Sequence, residues 1–286
     1  MTRDGYIQTL AGELFYEEQG AGDGTPLIVV HGGPGFTGYA LRSLFEVSDE
    51  RRVVVYDQAG CGRARRSGGR NNFTIEGFVE ELEALRQSLG YDKINLFGHS
   101  FGGLIIGEYA LRYPDRVERL IFACASLDIP RWIADGQRLL GGLSLMDRMI
   151  LREGGRTGAT SSPEYVAALG SYYAKHIYGG AEASELVQQA ERESDAQTYQ
   201  IVWGTNELVV NGIVKDYSMT PRLSQLVVPS LFMCGRFDEA TPEAHEFFAS
   251  CVSGAAIHIF EKSAHHPCIT EKDEVIAVVR KFLRSS

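Results

Sequence analysis

A serine between two glycines is the residue of this sequence best suited to nucleophilic chemistry. It lies directly after an apolar run and before a helical pattern, in the segment Gly98-His99-Ser100-Phe101-Gly102. Small residues on both sides allow the sharp strand-to-helix turn that lifts a serine hydroxyl off a sheet. The N-terminus of the following helix favours negative charge that develops nearby. We therefore expect Ser100 to be a nucleophile, and the alternative is a serine that only caps a helix.

A second glycine-rich segment follows an earlier apolar run and reads His31-Gly32-Gly33-Pro34-Gly35. Glycines here let the backbone approach a reacting carbonyl and direct an N–H group at it. Gly33 is therefore one candidate oxyanion donor, and Phe101, the residue after the serine, is the other. We expect His31 to be a structural hydrogen-bonding residue rather than a catalyst. The alternative for the whole segment is a tight turn without a catalytic role.

A candidate acid and a candidate base follow two later apolar runs. Asp238 lies in the segment 235–239, and His265 lies in the segment 263–266. The order Ser100, Asp238, His265 is the chain order of α/β-hydrolase triads. In that arrangement His265 accepts the serine proton and Asp238 fixes the tautomer of the imidazole. His266 is the alternative base, and Asp128 is the alternative acid.

Short apolar runs alternate with helical patterns along the chain, which indicates a parallel sheet covered by helices. The runs are nearly continuous in apolar residues, as strands buried on both faces should be. We expect strands at 27–30, 53–56, 94–97, 120–124, 231–234 and 257–260. Residues 6–16 alternate instead and contain a turn at Ala11-Gly12, which predicts an antiparallel hairpin at the edge of the sheet.

The alternation stops between residues 129 and 217. This stretch has helical patterns, is rich in Tyr and Trp, and is too long to be a loop. We expect it to be an inserted helical cap over the active edge of the sheet. The α/β-hydrolase core would then consist of residues 1–128 and 218–286.

The composition is that of an ordinary folded domain, with 286 residues, 44% hydrophobic residues and 23% charged residues. The net charge of −9 argues against a nucleic acid or an anionic membrane as a partner. A local basic cluster consists of Arg63, Arg65, Arg66 and Arg70. We interpret this cluster as part of a solvated loop, and the alternative is a contact with an anionic group of the substrate.

The chain start shows no apolar stretch long enough for a signal peptide, and no apolar run approaches the ~20 residues of a membrane-spanning helix. We therefore expect a cytoplasmic protein. The five cysteines are odd in number, scattered and without a CxxC pair, so they suggest neither a disulfide framework nor a zinc site. No metal and no organic cofactor is implied.

With these residues assembled, the chain resembles the proline iminopeptidase (prolyl aminopeptidase) family, which includes the tricorn-interacting aminopeptidases. The most specific shared motif is HGGPG at 31–35. Residues 57–62, DQAGCG, are similar to the DQRGxG loop of the family, and residues 203–216 resemble its late cap segment. The resemblance implies an α/β-hydrolase fold, with a mostly parallel eight-stranded sheet flanked by helices and an inserted helical cap.

The resemblance also implies that two glutamates hold the free amino group of the substrate. Glu207 in the cap and Glu239 after the triad aspartate occupy the matching motif positions. An α-amino group has a pKa of about 7.7–8.0 and is mostly cationic at neutral pH. Paired carboxylates in a covered pocket would bind that cation and disfavour N-blocked peptides. The alternative is two ordinary surface acids.

The chain departs from the family pattern in one loop. Ala59 replaces the arginine of DQRG, and Ala64 stands where a serine is usual. Because we expect this loop to lie near the HGGPG loop, we expect the departures to change the shape of the pocket or the substrate preference. The apolar wall of the pocket is expected from the cap aromatics Tyr172, Tyr173 and Trp203, and the alternative for each is core packing.

Our leading hypothesis is a serine aminopeptidase or aminoacyl amidase that releases an N-terminal residue through an acyl-enzyme on Ser100. Proline is the residue that the resemblance implies. The expected partner is a small peptide or aminoacyl amide, and the expected state is a monomer or small homo-oligomer. One alternative is a carboxylesterase, a lactonase or a biosynthetic amide hydrolase with an altered pocket. The other is a ligand-binding protein without catalytic activity on a hydrolase scaffold.

Overall fold

A computed structural model describes residues 2–10, 12–66, 73–180 and 183–284. Ala11 of the predicted hairpin turn and Arg70 of the basic cluster lie outside these residues. The strands are β1 (Thr2–Gln8), β2 (Gly12–Gln19), β3 (Gly24–Val30), β4 (Arg51–Asp57), β5 (Arg65–Arg66), β6 (Ile94–His99), β7 (Val117–Ala123), β8 (Gly204–Asn206), β9 (Val209–Val210), β10 (Ser230–Gly235) and β11 (Ala256–Phe260). The α-helices are α1 (Ile75–Ser88), α2 (Phe101–Arg112), α3 (Ile129–Leu139), α4 (Leu145–Thr157), α5 (Pro163–His176), α6 (Glu185–Arg192), α7 (Ala196–Val202), α8 (Pro242–Cys251), α9 (Pro267–Thr270) and α10 (Lys272–Arg284).

One large sheet has the strand order β1-β2-β4-β3-β6-β7-β10-β11, and the short strand β5 pairs with β2. The pairs β1–β2 and β2–β4 are antiparallel. The remaining neighbours in this order are parallel, namely β4, β3, β6, β7, β10 and β11. The predicted hairpin is thus confirmed at one edge of the sheet. The mostly parallel sheet predicted for an α/β-hydrolase fold is confirmed as well.

The central strands are buried on both faces, which explains why their sequences are nearly continuous in apolar residues. Alternate residues of each strand enter different cores. In β3, Ile28 and Val30 pack beneath α1 and α2, whereas Leu27 and Val29 pack on the side of α10. Helices therefore cover both faces of the sheet, and the loops after the parallel strands meet at one edge.

Local sequence signals place the two helices that flank the nucleophile motif. Thr74 caps α1, because its hydroxyl accepts a 3.0 Å hydrogen bond from the Gly77 N–H. Gly90 follows the end of α1 with φ +74°, a conformation that glycine adopts without strain. The helix α2 ends at Arg112, just before Pro114, which cannot continue a helix.

The described part of residues 129–217 carries the α-helices α3 to α7 and also a short antiparallel hairpin, β8–β9. The hairpin departs from the purely helical pattern that we expected. The segment before α7 touches the core at two points. The Asp195 N–H donates to the Gly35 carbonyl at 2.8 Å, and the Gly62 N–H donates to the Glu193 carbonyl at 3.2 Å.

The arginine cluster is not simply a solvated loop. The Arg63 Nε donates to Asp57 at 2.9 Å, and a second ion pair joins Arg63 to Glu17 at 3.2 Å. Arg65 and Arg66 form the strand β5. The described helices include none that is both long and apolar enough to cross a membrane.

Candidate active site

The backbone turn at Ser100 is sharp and strained. Ser100 joins β6 to α2 with φ 54° and ψ −121°, a region that residues with a side chain rarely adopt. The turn requires a glycine at 102, because a Cβ there would lie only 2.2 Å from the Val30 carbonyl oxygen. The Ser100 side chain makes no capping hydrogen bond to the described part of α2. The hydroxyl therefore remains available at the edge of the sheet.

The HGGPG segment runs against this turn. A Cβ at Gly32 would lie 2.7 Å from the Ser100 Cβ, so the close approach requires glycine. His31 has a structural role, because its Nδ1 lies 2.9 Å from the Gly32 carbonyl and its Nε2 accepts the Gln58 N–H at 3.1 Å. Burial lowers the pKa of His31, so its ring is held neutral.

The two candidate oxyanion donors lie on either side of Ser100. Phe101 is the first residue of α2, where a backbone N–H has no intrahelical partner. Gly33 lines the same cavity as Ser100. Their positions suit a pair of N–H groups that receive the charge of a tetrahedral intermediate.

Asp238 and His265 are in direct contact. The His265 Nδ1–H donates to the Asp238 Oδ1 at 2.7 Å, and the same oxygen accepts the Ala240 N–H at 2.8 Å. Although burial acts to raise it, the pKa of Asp238 is held below its usual value by its electrostatic interaction and hydrogen bond with His265. Asp238 is thus a buried carboxylate that orients the imidazole.

His265 is also held next to the serine turn. The His99 Nε2–H donates to the His265 carbonyl at 2.8 Å, so the residue before Ser100 contacts the backbone of the base. Burial, with the adjacent His265, lowers the pKa of His99 to about 3. The ring of His99 is therefore neutral, and it lies 4.8 Å from the His265 ring.

The alternative acid and base are placed differently. Asp128 caps α3 and accepts hydrogen bonds from the Arg131 N–H at 2.9 Å and the Ser218 hydroxyl at 2.5 Å. His266 stacks on His99, with ring centroids 5.6 Å apart. Burial, with the neighbouring histidines, lowers the pKa of His266 well below its usual value. The contact with Asp238 is made by His265.

A cavity of about 430 Å³ connects the serine turn with the cap. Its lining includes Ser100, His265, Gly33, Glu207 and Glu239. Both glutamates therefore line the same cavity as the serine. Of the predicted wall aromatics, Tyr173 and Trp203 line this cavity, whereas Tyr172 is buried behind it.

Glu239 is the most unusual group in the cavity. It is only 3% exposed, and its Oε2 has no hydrogen-bond partner among the residues that the structure describes. Burial, together with the nearby carboxylates of Glu207 and Asp238, raises the pKa of Glu239 well above its usual range. This environment favours the protonated form of Glu239 and leaves its Oε2 without a partner among the described residues.

Glu207 is held by two tyrosines of the cap. The Tyr199 hydroxyl donates to Glu207 Oε1 at 2.7 Å, and the Tyr173 hydroxyl donates to Oε2. The Trp132 indole N–H donates to the Glu207 backbone carbonyl at 3.0 Å. These contacts fix the orientation of the carboxylate and its backbone.

Sequence reasoning missed several residues of the site, among them Trp132 and Tyr199. The Trp132 ring lies edge-on to the His265 ring at 6.1 Å, and the Tyr199 ring stacks on Phe36 at 6.4 Å. Both belong to short amphipathic cap helices, where an aromatic residue is a normal core residue. Their only sequence signal was the richness of the cap in Tyr and Trp.

Within the described ranges, one histidine and cysteine group is compact enough to suggest a metal site. His99, Cys124 and His265 have ligand atoms within 4.8 Å of one another. All three side chains are buried, and His265 is the residue that contacts Asp238. Burial also raises the pKa of Cys124 well above its usual value, which keeps the thiol protonated.

The two alanine substitutions lie behind the cavity rather than in its wall. Ala59 is fully buried in the core beneath α1, and its N–H donates to Glu81 at 3.1 Å. Ala64 is also buried, and neither alanine belongs to the described lining. An effect of these two departures on the shape of the pocket or on substrate preference stays a prediction.

Comparisons with known proteins agree over nearly the whole chain. Residues 25–272 match the family model described as alpha/beta hydrolase fold. The chain is 37% identical over 288 residues to a proline iminopeptidase of Heyndrickxia coagulans, covering 100% of both chains. It is 32% identical over 284 residues to a proline iminopeptidase of Saccharolobus solfataricus, covering 98% of this chain and 92% of the relative.

Two solved structures extend the likeness to the whole backbone. The crystal structure of VinJ has a TM-score of 0.92 at 27% identity and covers 98% of each chain. The crystal structure of proline iminopeptidase from Mycobacterium smegmatis has a TM-score of 0.88 at 26% identity, covering 98% of this chain and 97% of that one. The shared length includes the cap as well as the sheet.

Proposed function

Since this chain belongs to the proline iminopeptidase family, which has the α/β-hydrolase fold, we propose that it releases N-terminal residues through an acyl-enzyme on Ser100. The protein is a serine hydrolase that cleaves after an N-terminal residue. Its substrates as a peptidase are small peptides. The roles of the individual residues in this reaction are part of the proposal.

The buried carboxyl of Glu239 is the observation that carries the proposal. An unpaired buried carboxyl oxygen is costly for the free protein, and a cationic ligand would remove that cost. The α-ammonium of a peptide is such a cation, and Glu207 beside it supplies a second carboxylate. The protein contains this pair in the same cavity as Ser100.

The chemistry begins with the substrate anchored by its amino group. The Ser100 oxygen attacks the carbonyl carbon of the first residue, and His265 accepts the hydroxyl proton. The charge on the former carbonyl oxygen is received by the N–H groups of Gly33 and Phe101. Asp238 stabilises the imidazolium that forms, because its Oδ1 accepts the Nδ1–H at 2.7 Å.

Collapse of this intermediate breaks the amide bond. His265 then gives its proton to the leaving amine, and the first residue remains as an ester of Ser100. Water attacks this ester while His265 accepts its proton, and His265 then gives that proton to the Ser100 oxygen as the free amino acid leaves. No proton or electron is left over in this cycle.

The aromatic side chains of the cap supply the rest of the recognition. Trp203 and Tyr173 line the cavity next to the two glutamates. A compact apolar side chain such as the pyrrolidine ring of proline suits a pocket with aromatic walls, since its burial needs no further polar partner. Proline as the preferred first residue is part of the proposal. A cytoplasmic location and a monomeric or small homo-oligomeric state stay predictions of the sequence.

The alternative functions are not favoured. This chain resembles a proline iminopeptidase over its full length. Such an enzyme must bind the free amino group of its substrate, whereas a general esterase or lactonase need not. The buried Glu239 and the half-buried Glu207 would be unfavourable neighbours for the uncharged acyl chain of a simple ester. A scaffold without catalytic activity would need neither the strained turn at Ser100 nor the buried contact between Asp238 and His265.

A panel of aminoacyl arylamides tests the proposal. We expect prolyl and other free-amine arylamides to be hydrolysed at least ~10²-fold faster, in kcat/KM, than the same compounds after N-acetylation. Ser100→Ala provides the blank for both series. Equal rates for free and acetylated substrates would show that the carboxyl pair does not anchor an amine.

A further inference from the structure

The C-terminal end of α5 contacts both loops of the proposed acid and base. The His176 Nδ1 lies 2.9 Å from the carbonyl oxygen of Phe237, the residue before Asp238. The carbonyl oxygen of the next cap residue, Ile177, accepts the backbone N–H of His265 at 3.2 Å. Two successive residues of the cap therefore hold the backbone on both sides of the contact between Asp238 and His265.

The hydrogen bonding determines the tautomer of His176. A backbone carbonyl can only accept, so the proton of the ring is on Nδ1. Burial lowers the pKa of His176, so the ring is neutral and Nε2 carries no proton. In the described part of the chain this buried Nε2 has no partner. The Phe237 carbonyl is therefore the one polar contact that the structure shows for this ring.

The loop that carries Asp238 needs such a contact on its cap side. On its other side the Phe237 N–H donates to the Ser263 carbonyl at 3.0 Å, which ties the acid loop to the base loop. The Phe237 side chain is 46% exposed and gives the loop little packing. The hydrogen bond from His176 therefore completes the support of the backbone next to Asp238.

The same turn of α5 also faces the two glutamates. Tyr173 donates to Glu207, and Tyr172 interacts with the Glu239 carboxyl. Residues 172–177 thus connect the proposed amine site to the proposed triad within two helical turns. Binding of the amine and alignment of the imidazole therefore both involve the helix α5.

We propose that His176 is a positioning residue, which aligns Asp238 with His265 by holding the Phe237 carbonyl against the cap. The proposal rests on the proposed function, because it takes Asp238 and His265 as the acid and base. It assigns no contact with substrate to His176. Loss of the Nδ1–H donor should therefore lower the rate of the chemical step and leave binding of the amine nearly unchanged.

A matched pair of substitutions separates the donor from the shape of the side chain. His176→Asn keeps an N–H at the place of Nδ1, whereas His176→Leu has a similar branched shape without a donor. His176→Phe is a third variant, which keeps a ring against Tyr172, whose ring centroid lies 5.0 Å from that of His176. For each we would measure kcat and KM with prolyl arylamide, the rate of Ser100 labelling by a fluorophosphonate, and the thermal transition.

We expect His176→Leu and His176→Phe to lose about 10-fold or more in kcat and in labelling rate, with KM within about 3-fold of wild type. His176→Asn should keep both rates within about 3-fold. The labelling rate is informative because a fluorophosphonate needs the triad but carries no amine. A general packing defect would instead lower the thermal transition of the Asn and Leu variants alike.

The proposal is overturned if the Leu or Phe variant is labelled at the wild-type rate, or if the Asn variant loses as much as the Leu variant. If the Phe variant does not fold, the comparison of Asn with Leu decides. Labelling that persists in Ser100→Ala would instead contradict the proposed nucleophile. The two failures are therefore distinguishable.

Discussion

The hydroxyl of Tyr199 donates a 2.7 Å hydrogen bond to Glu207 Oε1, so a cap helix holds one carboxylate of the proposed amine site in place. The contact joins α7 to the hairpin β8–β9, two elements that are separated by only a few residues of chain. It orients the Glu207 carboxylate in the cavity that Ser100 also lines. The position of that charge is therefore set by the cap and not by the sheet.

Removal of this hydroxyl should weaken binding of the substrate. We expect Tyr199→Phe to raise KM for prolyl arylamide about 10-fold, because a hydrogen bond to a charged group contributes about 1.5–3 kcal/mol. The kcat should stay within about 3-fold, since Ser100 and its partners are unchanged. Steady-state kinetics measure both values.

Tyr217→Phe is the matched control for this variant. The Tyr217 hydroxyl also donates to a glutamate, Glu108, but outside the described lining of the cavity. This substitution should leave KM unchanged. An equal rise in KM for both variants would mean that the effect of Tyr199→Phe does not come from Glu207.

The proton on Glu239 makes stability depend on pH. Burial raises the pKa of Glu239, so the folded protein holds this proton at pH values where the unfolded chain has lost it. The contribution of Glu239 to the free energy of unfolding is fully present below its usual pKa of 4.5. It is lost as the pH rises toward the raised pKa of the folded protein. Glu239→Gln removes this titration, so its free energy of unfolding should gain on that of the wild type as the pH rises.

Denaturant titrations at pH 5 and pH 8 measure this effect. The advantage of Glu239→Gln over wild type should be larger at pH 8. The same variant should lose activity on free-amine arylamides, since it removes one of the two carboxyl groups. A constant difference between the two pH values would show that Glu239 does not carry the proton.

The strained backbone at Ser100 predicts a difference between two inactive variants. Both Ser100→Ala and Ser100→Gly remove the hydroxyl and should lower turnover at least ~10⁴-fold. Glycine tolerates a φ of 54°, whereas alanine keeps the strain. We therefore expect Ser100→Gly to be more stable than Ser100→Ala by about 1 kcal/mol in the free energy of unfolding.

Thermal and denaturant unfolding of the two variants compare these free energies. Equal stability would mean that the turn at Ser100 stores no strain. Turnover near the wild-type rate in either variant would contradict the proposed nucleophile itself.

The two candidate acids can be told apart by asparagine substitutions. In Asp238→Asn the amide N–H₂ would face the His265 Nδ1 and favour the wrong tautomer, so kcat should fall about 10⁴-fold. Asp128 caps α3 and contacts Ser218, so Asp128→Asn should keep kcat within about 3-fold and affect mainly stability. A large loss of kcat in Asp128→Asn with a small loss in Asp238→Asn would reverse the assignment.

The arrangement of the sheet was predictable from the sequence because its determinants are local. An apolar run such as residues 94–97 cannot be exposed to water, and its length favours a strand over a helix. Glycines around Ser100 indicated a sharp turn by their spacing alone. The triad order followed from an acid and a histidine that come after two such runs.

The contacts of the cap were not predictable in the same way. A short helix with one apolar face can pack in many ways, and its pattern does not say which aromatic residue meets a carboxylate. His176, Trp132 and Tyr199 were therefore missed. The hairpin β8–β9 was missed too, since strands of three and two residues leave almost no periodic signal.

The fold class, the turn at Ser100 and the order of the three proposed catalytic residues could be predicted from the chain, because each depends on neighbouring residues or on burial of an apolar run. The packed structure was needed to show that Glu207 and Glu239 line one cavity and that Glu239 Oε2 has no partner among the described residues. A carboxyl group becomes buried, and its charge becomes costly, only when distant segments of the chain pack together. No local sequence pattern encodes how those segments meet.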